Sequence, residues 1–278
     1  RNTSAGALSI HSALPDYEIG GRIVADVQNY SGRKLELGVT GPLVADKLAF
    51  RLAGLHYERD GFIENRVGPE EMYDRDRSLF KGQMLWDVSE DLQFRLIGDY
   101  SKQREQCCAA DYVVAGPTAP VVQSLGGIVK TDPFAYKTQV NFKSKDNNEE
   151  YGATLLADWQ LSDALNLKYV GAWRDNDLES NLDPDSSNLD LLQGTNNETD
   201  IELQTHELRL SGQHGRLDWL VGSYYYEENI DVSWRLVFGS QFGEYFSELL
   251  SGGLLPPSLF PEGLGDDQRL FDQDADGF

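Results

Sequence analysis

Tyr151-Gly152-Ala153-Thr154-Leu155-Leu156-Ala157-Asp158-Trp159-Gln160-Leu161, the turn Ser162-Asp163-Ala164, and Leu165-Asn166-Leu167-Lys168-Tyr169-Val170-Gly171-Ala172-Trp173-Arg174 form the stretch that decides the fold. Tyr151, Ala153, Leu155, Ala157, Trp159 and Leu161 recur at every second position, and after the turn Leu165, Leu167, Tyr169, Gly171 and Trp173 do the same. Thr154, Asp158, Lys168 and Arg174 lie on the opposite phase. Successive side chains of an extended strand point to opposite faces, so this period sorts apolar from polar residues; a helix would scatter them. Two such runs joined by three residues read as an antiparallel hairpin.

The same rhythm runs outward along the chain. Leu35, Leu37, Val39 and Leu43 oppose Lys34, Glu36 and Thr40, while Leu48-x-Phe50-x-Leu52 and Leu92-x-Phe94-x-Leu96-x-Gly98-x-Tyr100 carry Arg51, Arg95 and Asp99 on the other phase. Strands are expected over 17–30, 33–43, 48–60, 75–88, 92–105, 149–161, 165–178, 199–213 and 216–234. A soluble β-sandwich shares this alternation, so periodicity by itself specifies an antiparallel sheet with one wet face.

Connection lengths separate the two architectures. The links at 44–47, 89–91, 162–164 and 214–215 are tight. Those at 61–74, 106–148, 179–198 and 235–278 are long and rich in Asp, Asn, Gly and Pro, with Ser31-Gly32 the short exception in that series. Compact soluble domains usually connect elements through about 4–6 residues. Long loops confined to one rim are the habit of a transmembrane β-barrel.

Tryptophan positions agree. Trp86 precedes Ser89-Glu90-Asp91, Trp159 precedes Ser162-Asp163-Ala164 and Trp219 follows His214-Gly215, so all three stand at the short-turn rim. Indoles favour the headgroup layer, where they form a girdle. Trp173 lies far enough from its short turn to mark the opposite girdle.

With 46 acidic and 24 basic residues the chain carries a net charge of −22, which is unsuited to neutralising nucleic-acid phosphates. Mean hydropathy is −0.46. No apolar run approaches the ~18 residues of a spanning helix, but barrel strands are apolar only at alternate positions. The sequence opens on Arg1 without a signal-peptide pattern, and nine strands make an odd number. The expectation is therefore a fragment whose barrel is completed by strands downstream, because bare sheet edges are costly in lipid.

Arg1-Asn2-Thr3-Ser4-Ala5-Gly6-Ala7-Leu8-Ser9-Ile10 resembles the end of the plug domain of TonB-dependent outer-membrane receptors. Tyr57-Glu58-Arg59-Asp60-Gly61-Phe62 and Phe80-Lys81-Gly82-Gln83-Met84-Leu85-Trp86 are similar to early barrel strands of that family. Thr205-His206-Glu207-Leu208-Arg209-Leu210-Ser211, Leu217-Asp218-Trp219-Leu220-Val221-Gly222 and Tyr224-Tyr225-Tyr226-Glu227-Glu228 are similar to its mid-barrel hairpin. The resemblance implies an all-β fold, the N-terminal part of a roughly 22-stranded barrel. It divides the chain into a plug end at 1–15 and barrel at 16–278. The implied function is active uptake of a scarce ligand, a ferric siderophore or other iron complex first, with cobalamin or a carbohydrate as other cargoes. The implied partners are that ligand, the inner-membrane TonB complex, and outer-membrane lipid and lipopolysaccharide. The implied location is the bacterial outer membrane. The energy-coupling box, nearly all of the plug and the later strands of the family pattern are absent from this sequence. Phe278 ends the chain as an aromatic, but Asp272-Gln273-Asp274-Ala275-Asp276-Gly277 before it reads as loop.

With the plug end in the periplasm, the long loops face the medium. Their aromatics Tyr73, Tyr112, Phe134, Tyr136, Phe238, Phe242, Tyr245 and Phe246 are suited either to closing over a ligand or to packing the loops and touching lipopolysaccharide. Arg51, Arg95 and Arg174 are expected to point inward, where an anionic ligand would meet them. Cys107-Cys108 sits in one of these loops, and two readings stand, a vicinal disulfide that stiffens the loop or two free thiols. Asp272-x-Asp274-x-Asp276-Gly277 matches the first half of a calcium loop without its closing glutamate, which leaves calcium binding and a solvated acidic loop both open. His11, His56, His206 and His214 lack zinc-ligand spacing with the cysteines, and no metal or cofactor is expected. No catalytic motif appears, and Asp99 and Asp158 read as lumen-facing strand residues, so the chain is expected not to be an enzyme. The alternatives are a passive porin or structural barrel and an outer-membrane glycan hydrolase.

Overall fold

The structure is a computed structural model that describes residues 11–68, 71–109, 111–260 and 269–277. The motif Arg1 to Ile10 and the terminal Phe278 lie outside the described residues. In chain order the elements are β1 (Gly20–Val27), β2 (Arg33–Val44), β3 (Leu48–Arg59), β4 (Ile63–Asn65), β5 (Glu71–Met72), β6 (Arg75–Ser89), β7 (Leu92–Glu105) and α1 (Ala119–Ser124). There follow β8 (Lys137–Thr138), β9 (Lys145–Ser162), β10 (Leu165–Leu182), β11 (Leu192–His214), β12 (Leu217–Phe238), α2 (Phe242–Ser251), a 3-10 turn at Pro257–Leu259, and β13 (Arg269–Gly277).

Ten of the strands form one antiparallel sheet in the order β1-β2-β3-β6-β7-β9-β10-β11-β12-β13, each paired with the next long strand of the chain. The sheet is open, with β1 and β13 at its edges. Tight turns force this meander. At the β2–β3 turn Asp46 takes φ +54°, and at the β11–β12 turn Gly215 takes φ +62°, a left-handed conformation in which glycine is not penalised. Register shifts fall beside short turns, between Pro42 and Val44, between Asp87 and Ser89 and between Leu165 and Asn166, and at the long-loop end between Leu192 and Gly194 and between Trp234 and Arg235.

Register assigns every side chain to one of two faces. On one face the apolar run extends from Leu92 to Tyr100 in β7, from Tyr151 to Leu161 in β9 and from Leu165 to Trp173 in β10, spans of nine, eleven and nine residues. A tilted strand crosses the hydrocarbon in about 9–11 residues. Beyond each run the same face turns charged or polar, at Lys102, Glu149 and Asp175. Phe80, Trp86, Leu96 and Trp159 are 51%, 50%, 48% and 46% exposed, an apolar surface too continuous for water. The architecture is that of an antiparallel transmembrane β-barrel, and the sheet crosses with strands. Among the described residues no helix is long and apolar enough to cross a membrane.

Two expectations need correction. The barrel sheet has ten strands, not nine, because 269–277 pairs with β12 as β13 instead of remaining loop. Asp272, Asp274 and Asp276 therefore lie on extended backbone, without the bend a calcium loop requires. Strands β9 to β12 also run past the expected limits, with β11 beginning at Leu192 and β12 ending at Phe238. The added ends of β9, β10 and β11 lie beyond the apolar band and are mostly polar at every position, so they lack the alternation that marks a strand in sequence; that of β12, Leu236-Val237-Phe238 after Arg235, is a continuous apolar run and lacks it for the opposite reason.

Candidate functional site

The inner face of the sheet holds the segment that precedes β1. The Arg95 guanidinium donates to the Ser12 carbonyl at 3.4 Å and the Gln83 side-chain amide donates to the Ala13 carbonyl at 3.3 Å. Arg51 donates to the Leu14 carbonyl at 3.2 Å, and Lys81 Nζ donates to Ser12 Oγ at 2.7 Å. The Asp16 amide donates to Thr40 Oγ1 at 2.8 Å. Thr40, Ala49, Gln83 and Leu85 are buried beneath this segment's contacts or beside them in the sheet. A backbone lying along the inner wall outside the sheet needs such donors for its carbonyls.

Arg51, Arg95 and Arg174 thus point inward as expected, but they are engaged. Arg95 also donates to Gln83 Oε1, from Nε at 3.1 Å. Arg174 makes a forked contact with both oxygens of Asp99 at 3.1 Å and pairs with Glu150. Two carboxylates offset the Arg174 charge, which makes it a wall-to-wall strut between β7, β9 and β10 rather than a waiting anion receptor. Asp99 and Asp158 face inward too, the latter bonded to Asn166 at 2.7 Å and Lys168 at 2.8 Å.

The long-loop rim carries a second, packed layer that the sequence reads as loop. β4, β5 and β8 form a small sheet in the order β5-β4-β8. Ile63, Met72, Ala109 and Val140 make its core, with Phe62 and Tyr73 packed against it. Arg66 reaches across to Asp111 in a bidentate pair at 2.5 and 2.7 Å and donates to Gln139 Oε1 at 2.7 Å. Asp111 is fully buried in its side chain, so the pair is a desolvated one.

Segment 183–191 ties this layer together. Tyr112 donates to the carbonyls of Asp185 and Ser186 at 3.3 Å, Gln139 to Ser186 at 3.1 Å and Asn141 to Leu189 at 2.8 Å. On its other side Asp190 accepts from Ser240 Oγ at 2.7 Å and the Ser240 amide at 2.8 Å, holding the arm that leads into α2. The anchor is Asp183, whose Oδ1 accepts from the amides of Asp185 at 3.1 Å and Ser186 at 2.9 Å. Its Oδ2 is buried without a partner.

Burial first, and the neighbouring Asp185 carboxylate second, push the Asp183 carboxyl up to about 7. The folded layer therefore binds a proton more tightly than the unfolded chain does. Its contribution to stability is complete below the ordinary carboxylate value, about 3.9, and is lost as pH rises through about 7. Amide protection at Asp185 and Ser186, corrected for intrinsic exchange, is expected to fall between pH 5 and pH 8. In D183N, which keeps an acceptor and removes the charge, the fall should shrink to what the buried Asp185 carboxyl contributes; a D183N profile identical to wild type excludes this role for Asp183.

The loop aromatics divide. Tyr30, Tyr73 and Tyr136 surround Phe62 with centroids 6.0, 5.5 and 6.2 Å away. Phe238, Phe242, Phe246 and Phe260 form a chain at 4.5, 4.6 and 5.8 Å, with Tyr245 on Phe246 at 5.5 Å. Phe134 is 83% exposed. Phe62, which the sequence places in a strand motif, and Phe260, which no local pattern marks, complete these clusters. His56 and His206 bond to strand neighbours, Ser78 and Tyr169 respectively.

Cys107 and Cys108 are joined as a vicinal disulfide where β7 gives way to the loop layer. Ser144 Oγ donates to the Cys107 carbonyl at 3.1 Å, and the Tyr73 amide donates to the Gln106 carbonyl at 2.7 Å. Intact mass after mild reduction is expected to rise by two hydrogens, and alkylation without reductant should label neither cysteine.

No family model matches the chain. Its fold is similar to that of the ferric yersiniabactin uptake receptor FyuA of Yersinia pestis, with a TM-score of 0.66 at 13% identity over 82% of this chain and 33% of that one. The siderophore receptor PiuA of Acinetobacter baumannii gives a TM-score of 0.62 at 13% identity, covering 95% of this chain and 38% of that one. The ferric-catecholate import receptor Fiu of E. coli K12 gives 0.59 at 13% identity, covering 79% and 33%. The chain spans about a third of the length of these solved structures.

Proposed function

We propose that this chain is the plug end and the first part of the barrel of a TonB-dependent outer-membrane receptor that imports a ferric siderophore or another iron complex. The observation that carries the reading is the segment 12–16, bound along the inner wall by Arg95, Gln83, Lys81, Arg51 and Thr40. A receptor filled by a plug needs such a junction, whereas a passive porin has no use for a chain gripped against its lumen. The fold shared with ferric-siderophore receptors supports the iron cargo over cobalamin or a carbohydrate.

On this reading the short turns face the periplasm and the loop layer faces the medium. The inner-membrane TonB complex supplies the energy, and lipopolysaccharide and lipid contact the outer face. Deleting the gene should abolish uptake of one class of radiolabelled ferric siderophore in iron-limited cells, and removing TonB should have the same effect. Uptake that persists without TonB would point to a porin instead.

A further inference from the structure

A cavity of about 170 Å³ lies in the loop layer where three segments meet. Tyr112 and the arm carrying α1 supply one side, Asp185, Ser187 and Leu191 a second, and Tyr245 of α2 a third. Ala119, Val122, Val129 and Leu191 give it carbon surface. An apolar cavity of about 150 Å³ takes up one benzene, so the space suits a body of about six heavy atoms.

Its charge is one-sided. Among the described residues no Lys or Arg forms an ion pair with Asp183 or Asp185; Arg66, Lys137 and Lys145 are committed to Asp111, Glu64 and Glu179. A carboxylate offers about four lone-pair positions. Asp185 uses three of them, on the Ser187 amide at 3.0 Å, Ser187 Oγ at 2.6 Å and the Leu192 amide at 3.0 Å. One direction is left on a carboxylate that lines the cavity. Tyr112 and Tyr245 also line the space, and an aromatic ring attracts a cation held over its face. Burial raises the Asp185 carboxyl above its usual range, as expected where a negative group is desolvated without a counter-charge.

We propose that this cavity binds a small organic cation, a primary ammonium or amidinium head carried on a branched alkyl or single-ring body. The head takes the open lone pair of Asp185 between the two tyrosine rings, and the body fills the space against Val122 and Leu191. An anionic head is excluded by Asp185, and a neutral one leaves the charge uncompensated. This goes beyond the transport reading and does not depend on it.

The test is to titrate isoamylammonium, isoamyl alcohol and isovalerate, which share a carbon body, into the purified protein in zwitterionic micelles. Hydrogen exchange at 112–129 and 185–192 is the readout. Isoamylammonium should protect these amides with a Kd at least about tenfold below that of the alcohol, roughly the value of one charged hydrogen bond, and isovalerate should not protect them. D185N should erase the ammonium preference. If D185N loosens segment 183–192 before any ligand is added, V122F decides, because it fills the apolar space and leaves Asp185 intact; it should abolish protection. Equal binding of the three probes, no protection by the ammonium, or unchanged binding to V122F overturns the proposal.

Discussion

Replacing Arg66 by alanine is expected to open the loop layer while leaving the barrel folded. The side chain bridges three segments, holding Asp111 in a bidentate pair and Gln139 beside it, and the Asp111 side chain is fully buried. Removing one partner of a buried pair strands the other charge in a poorly solvated place, at a cost of about 3–5 kcal/mol. That is large against a layer whose apolar core is confined to Ile63, Met72, Ala109 and Val140, with Phe62 and Tyr73 beside them and Leu189 and Leu191 buried in segment 183–191. Exchange in 106–144 should accelerate by roughly two to three and a half orders of magnitude, the conversion of that cost, with β6, β7 and β9 unchanged. R66K keeps the charge but loses the fork, and should fall between wild type and R66A. Adding D111N to R66A should restore part of the loss, since the stranded charge is gone. Barrel strands that exchange faster in step with the loops would show that the layer is not a separable unit.

Leu155→Arg should oppose insertion. Leu155 stands midway along the outward apolar run of β9, between Tyr151 and Leu161, and is 39% exposed on the lipid side. Arginine facing the middle of the bilayer costs about 2–4 kcal/mol in a β-barrel. Its neighbour Thr154 points inward, across from Ile97 and Ala172, so T154R places the same charge in the lumen at little cost. Folding into lipid vesicles, followed by urea titration, should separate the two variants by at least about 2 kcal/mol. Equal destabilisation would mean that the assignment of faces is wrong.

That assignment is legible in the sequence because it depends only on neighbours in the chain. A period of two fixes which residues share a face, and the three residues between Leu161 and Leu165 fix the hairpin. The tryptophans beside short turns locate one rim for the same reason. Resemblance of scattered motifs to a receptor family then pointed to the barrel, and the similarity in fold to solved outer-membrane receptors agrees with it. The inward aim of Arg51, Arg95 and Arg174 also followed from phase alone.

What these arginines touch did not follow. Arg95 meets Ser12 across 83 positions and Arg174 meets Asp99 across 75, and no local pattern encodes a contact of that range. The loop layer stayed hidden for a related reason. β4, β5 and β8 have three, two and two residues, too short to show any period, and each is stable only beside the others. The ends of β9, β10 and β11 are illegible as strands for another reason, since they are mostly polar at every position and show no alternation. Residue phase therefore determined the membrane face and the hairpins, a property of the extended backbone itself. Only tertiary structure decided which carboxylates are buried, which cations are spoken for and where a cavity remains, since burial and pairing are set by segments the chain brings together from far apart.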